Sequence, residues 1–132
     1  MSTKRSICII DDDKVYTFGI KKIIKNHLPG DTVTTYNNGK EALEQLKQIQ
    51  QSNQDLPDII LLDIDMPEMN GWDFLKEFES LRNTADKAID IFVISSRIES
   101  GKESLYQVEW DKKVSKFIPK PVDAVRLKEL LG

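Results

Sequence analysis

Five short apolar runs punctuate the chain, and longer stretches with apolar residues at helical spacing lie between them. The runs are Ser6–Ile10, Thr32–Tyr36, Asp58–Leu62, Ile89–Ile94 and Lys116–Ile118. Ile7–Ile10, Ile59–Leu62 and Ile91–Ile94 are almost continuous in β-branched and large apolar residues, which suits strands covered on both faces of a parallel sheet. Thr32–Tyr36 is more polar and fits a sheet edge. Lys116–Ile118 also fits an edge, because it is short and ends at Pro119.

The intervening segments predict helices. From Asp13 to about Leu28, Ile20, Ile23, Ile24 and Leu28 form one stripe that Pro29-Gly30 ends, and Asp13 is placed to cap its start. From Asn38 to about Gln50 the stripe is Ala42, Leu43, Leu46 and Ile49, with Asn37 or Asn38 as the cap. Phe74, Leu75, Phe78 and Leu81 mark a helix from Gly71 to about Leu81. Val122 to Leu131 follows Pro121, which is tolerated at a helix start. Ser100–Trp110 has no clean stripe and is the weakest of the helix candidates. Alternation of this kind, with right-handed crossovers, predicts an α/β fold: a three-layer, doubly wound, five-stranded parallel sheet. One domain is expected over residues 1–132, with no output domain, and Gln51–Pro57 reads as a surface loop.

Composition narrows the function. The chain has 132 residues, 39% of them apolar and 31% charged, with a net charge of −3. A domain built to grip nucleic acid needs a net basic face, and this chain lacks that balance. The single cysteine, Cys8, excludes an intrachain disulfide and sits where a free thiol acts as a small core residue. No stretch has the length of a membrane span and no signal peptide is evident, so a cytoplasmic protein is the default expectation. His27, the sole histidine, falls near a helix end away from the strand ends and has no expected role in metal binding or phosphotransfer.

Ligands of open parallel sheets bind outside the carboxyl ends of the strands. There the sequence places Asp11-Asp12-Asp13, Asp63, Ser95-Ser96 and Lys120-Pro121. Turn preference explains any one of these positions, but not all four together. Clustered carboxylates repel unless a cation compensates them, and an all-oxygen donor set suits Mg²⁺, with Mn²⁺ able to substitute. Such a site is suited to a phosphoryl group, with a carboxylate as nucleophile, Lys120 neutralising one phosphoryl oxygen and Ser95 donating a hydrogen bond to another.

These motifs resemble response-regulator receiver domains over essentially the whole chain. The matching pieces are Ile9-Ile10-Asp11-Asp12, then Leu61 to Gly71 with Asp63 and Met66-Pro67, then Val93-Ile94-Ser95-Ser96, and finally Phe117-Ile118-Pro119-Lys120-Pro121. The resemblance implies a flavodoxin-like topology and a signalling switch rather than an enzyme, one that catalyses only its own phosphorylation and dephosphorylation. Asp63 would accept the phosphoryl group from a phosphohistidine on a sensor histidine kinase or histidine phosphotransfer protein. Asp12 would ligate the metal directly, Asp11 through water and Asp65 through its backbone carbonyl. A cis Lys120–Pro121 peptide is expected. Ser95 and Phe117 would be the switch pair, acting on an unknown downstream protein through the face carrying Ser104–Trp110 and the fifth strand and helix. The domain would be a monomer or a weak phosphorylation-dependent dimer, without nucleic-acid or membrane partners. Asp65 and Arg97 are expected to pair across the pocket mouth and tune the phosphoryl lifetime, whereas Trp72 and Trp110 are expected to pack or to form interfaces.

Three rival readings share part of this pattern. A haloacid-dehalogenase-type phosphatase shares the Asp63-Ile64-Asp65 spacing, but position 67 is Pro and its nucleophile normally sits on the first strand. A flavodoxin-like cofactor binder would need a phosphate loop where Asp11-Asp12-Asp13 stands. A pseudo-receiver interaction module would not need the intact Asp12, Asp63, Ser95 and Lys120 set.

Overall fold

A computed structural model describes residues 5–66, 68–95, 113–120 and 122–132. Its strands are β1 (Ser6–Ile10), β2 (Thr32–Tyr36), β3 (Ile59–Asp63), β4 (Asp90–Ser95) and β5 (Lys116–Pro119). Its helices are α1 (Lys14–His27), α2 (Gly39–Gln51), α3 (Gly71–Thr84) and α4 (Ala124–Leu131). The five strands form one parallel sheet in the order β2-β1-β3-β4-β5. The two runs expected at the edges are the two edge strands.

Strand alternation divides the core into two layers. Ile7, Ile9, Ile59, Leu61, Phe92, Ile94 and Ile118 face one side, where Ile20 and Ile24 of α1 and Leu127 and Leu131 of α4 cover them. Cys8, Ile10, Ile60, Leu62, Ile91 and Val93 face the other, under Ala42, Leu43 and Leu46 of α2 and Phe74, Leu75, Phe78 and Leu81 of α3. Cys8 is buried within this second layer, and burial pushes its thiol up to about 12. Each helix face buries the stripe that its spacing predicts, although Ile23, Leu28 and Ile49 are only partly covered.

Helix starts follow capping chemistry. Asp13, Asn38, Asn70 and Asp123 each accept a hydrogen bond from a backbone N–H three residues on. Asn38, not Asn37, therefore caps α2. The last helix begins at Ala124 rather than Val122, because Asp123 supplies its cap and Val122 is buried ahead of it.

Two strands begin one residue later than their apolar runs suggest. Asp58 precedes β3, and its carboxylate accepts from the Ser6 amide at 2.8 Å and pairs with Lys87 at 2.9 Å. Ile89 precedes β4, which extends instead to Ser95. The Ser100–Trp110 candidate helix lies outside the described residues, as do Pro67, Ser96, Arg97 and Pro121 with its expected cis peptide.

Candidate functional site

Asp11, Asp63 and Ser95 are the buried polar and charged residues among those described, and all three lie at the carboxyl ends of central strands. Burying such groups is costly unless partners compensate, and the sheet supplies several. Alternation carries Asp11 and Asp63 to the α1 side, following Ile9 and Leu61. One oxygen each of Asp11, Asp12 and Asp63 lies within 4.8 Å of the others. Asp12 is exposed, whereas Asp11 and Asp63 are not. Lys120 follows β5, and its ammonium meets Asp11 at 3.0 Å and Asp63 at 3.7 Å. The Lys120 amide donates to the Ser95 carbonyl at 3.1 Å, which anchors the lysine to β4.

The loop after β3 is held closely. Asp65 donates its amide to Asp63 at 3.4 Å, and the Gly71 amide bonds the Ile64 carbonyl at 2.9 Å. A Cβ at Gly71 would stand 2.7 Å from the Asp63 carbonyl oxygen and 2.8 Å from the Ile64 Cα. Only glycine lets α3 start this close to the acidic strand end. Glu68 takes a φ of 65° within the same turn.

Electrostatics follow from this crowding. Burial, reinforced by the Asp11 charge, pushes the Asp63 carboxyl up to about 6 against the opposing pull of Lys120 and the Asp65 amide. Burial alone would depress the Lys120 ammonium. Its hydrogen bond to Asp11 and the charges of Asp11, Asp63 and Asp13 outweigh that and hold it above the usual lysine range.

The structure brings together Asp11, Asp12, Asp63, Lys120 and, through Asp65, Ser95. The Ser95 hydroxyl donates to an Asp65 carboxylate oxygen at 3.3 Å. The expected partner of Asp65, Arg97, lies outside the described residues, and the contact with Ser95 is one that the sequence does not predict. Asp13 caps α1, and its amide bonds Asp11 at 2.9 Å. Phe117 is half-buried and packs against Trp72, with ring centroids 6.1 Å apart. His27 ends α1, at the opposite end of the helix from the carboxylates. Sequence reasoning missed Tyr16, whose ring lies 4.5 Å from the Lys120 ammonium. The sole local signal was its place on the first turn of α1, three residues after the Asp13 cap.

Comparison with known proteins agrees with this geometry. The family described as "Response regulator receiver domain" matches residues 7–132. The chain belongs to that family. Similar curated proteins include a protein-glutamate methylesterase/protein-glutamine glutaminase of Clostridium acetobutylicum, 31% identical over 131 residues, which cover 96% of this chain and 34% of that protein. A namesake from Treponema pallidum is 32% identical over 88% of this chain and 26% of its own length. The receiver domain thus spans about a quarter to a third of these methylesterases. Among solved structures, the response regulator domain of Thermotoga maritima CheB superposes with a TM-score of 0.73 at 25% identity, covering 98% of this chain and 92% of that one. The phosphorylated cyanobacterial phytochrome response regulator RcpA gives 0.74 at 26% identity, covering 97% and 89%. The receiver fold thus provides a two-component signalling module. No helix among the described residues is long and apolar enough to cross a membrane.

Proposed function

We propose that this receiver domain is a phosphorylation-dependent switch in which Asp63 takes a phosphoryl group from a phosphohistidine on a sensor kinase or histidine phosphotransfer protein. The observation that carries this reading is the burial of Asp63 beside Asp11, with an ammonium 3.7 Å away and the exposed Asp12 carboxylate within 4.8 Å of both acids. An Asp63 oxygen attacks phosphorus, the phosphorus–nitrogen bond breaks, and the imidazole leaves with a proton from solvent. Water later attacks the acyl phosphate, releasing inorganic phosphate and restoring the carboxylate.

Three carboxylates that reach within 4.8 Å of one another fit a hard divalent cation. Asp12, Asp63, the Asp65 carbonyl and, through water, Asp11 would hold Mg²⁺ or Mn²⁺, which when bound neutralises the gathered negative charge. Lys120 would meet a phosphoryl oxygen and Ser95 would donate its hydroxyl to another.

Switching follows from the added charge of roughly −1.5 to −2. Ser95 leaves Asp65 for the phosphoryl group, and Phe117 turns into the space it vacates. Complete switching requires a differential of about 5.5 kcal/mol between the two states. The signal leaves through protein contacts on the β5 side, in the cytoplasm, with residues 1–132 acting as one domain. Asp65 and Arg97, two residues after Asp63 and Ser95 in the sequence, set the phosphoryl lifetime.

Exposure to acetyl phosphate with Mg²⁺, followed by intact mass, tests the reading. The expected gain is a single phosphoryl group, absent in Asp63→Asn; no gain in the wild type, or an equal gain in the variant, overturns it. Turnover of phosphate esters would favour the phosphatase alternative instead. Following decay of the same species in Arg97→Ala should show a shorter half-life, and an unchanged one removes that residue from the lifetime argument.

A further inference from the structure

Around Lys120 the contacts close into a ring. Asp11 accepts the Asp13 amide at 2.9 Å, and Asp13 accepts the Tyr16 amide at 3.0 Å. The Tyr16 ring lies 4.5 Å from the Lys120 ammonium, which returns to Asp11 at 3.0 Å. The capped start of α1 is thereby tied to the lysine that follows β5.

The ring face, not the hydroxyl, does the engaging. Among the described residues the Tyr16 hydroxyl is buried without a hydrogen-bond partner, whereas the ring has one in the ammonium. Its face offers the ammonium an attraction that survives when the lysine changes anionic partner. That property matters because Lys120 rests 3.0 Å from Asp11 but must reach a phosphoryl oxygen built on Asp63, whose carboxylate is 3.7 Å away. A lysine gripped by Asp11 alone would have to abandon its only close contact in order to move. With the ring beneath it, the ammonium shifts between anions along a supporting surface.

We infer that Tyr16 is a positioning residue: its ring face holds the Lys120 ammonium between Asp11 and Asp63 and so governs how fast Asp63 is phosphorylated. The inference rests on the proposed role of Asp63.

Phosphoryl gain from acetyl phosphate with Mg²⁺ is timed in the wild type, Tyr16→Phe and Tyr16→Leu, with the Lys120 side-chain methylene resonances read by NMR in ¹³C-lysine-labelled protein and assigned with Lys120→Met. Tyr16→Phe should stay within about twofold of the wild type, because the ring is retained, and Tyr16→Leu should slow about fivefold. The ring should displace the Lys120 ε-methylene protons upfield in the first two proteins and not in the third. A ring that merely packs beside the lysine would shift its resonance without changing the rate, so equal rates in the Phe and Leu variants overturn the inference, as does a lysine resonance that does not move between them. If Tyr16→Leu does not fold, the other two proteins decide: an upfield Lys120 methylene in both, with matching rates, upholds the inference, and its absence sinks it. A wild type that takes no phosphoryl group fails the functional reading instead, a result separate from equal rates in proteins that are labelled.

Discussion

Lys120→Met is expected to slow phosphoryl gain from acetyl phosphate by about two orders of magnitude, the scale on which a preorganised electrostatic group acts at a site of developing charge. Methionine keeps much of the stem and removes the ammonium. The loss acts twice. No ammonium then faces the incoming phosphoryl oxygens, and Asp11, buried and bonded to Lys120 at 3.0 Å, loses that ion pair. Because Lys120 pulls the Asp63 carboxyl downward, its removal also lets that carboxyl climb beyond about 6. In a chelator, the pH at which Asp63 loses its proton should therefore rise in the variant. Intact-mass time courses with Mg²⁺ give the rate and a carboxyl titration by NMR in a chelator gives the second reading, and a variant labelled at the wild-type rate would remove Lys120 from the mechanism.

Asp63→Asn should stabilise the metal-free fold near neutral pH by roughly 3 kcal/mol, about two pKa steps at 1.4 kcal/mol each. Folded Asp63 holds its proton up to about 6, whereas the unfolded chain releases it near 3.8. Between those values the folded state binds the extra proton, so stability falls as pH rises and the whole deficit is present above 6. Asparagine carries no such deficit. Urea titrations of the two proteins in a chelator should nearly coincide at pH 4 and separate at pH 7.5. A variant no more stable than the wild type at pH 7.5 would show that the acid is held without cost.

Much of this was legible in the sequence because strands buried on both faces need continuous apolar runs, and Ile7–Ile10, Ile59–Leu62 and Ile91–Ile94 have them. The polar run Thr32–Tyr36 marked an edge for the same reason. Strand ends were less legible. Asp58 reads as part of a strand because it adjoins apolar residues, yet its carboxylate is spent on Ser6 and Lys87. The acidic cluster and Lys120 were visible because four strand ends converge on one edge of any such sheet. The difference between buried Asp11 and exposed Asp12 depends on which face of β1 each continues. Tyr16 was invisible, since its meeting with Lys120 joins the first turn of α1 to the end of β5 and no local spacing encodes it. The Ser95–Asp65 bond likewise joins the end of β4 to the loop after β3, which only the finished sheet brings side by side.

The strand order has one further consequence. Asp11 and Asp63 grow from β1 and β3, interior strands laddered on both flanks, while Lys120 follows β5, a four-residue strand with one neighbour. A tug between the two halves of the site is thus a contest between bedrock and shoreline. Shifting the edge strand disturbs one ladder and shifting an interior strand disturbs two, so a pull between acid and lysine moves β5 before β1 or β3.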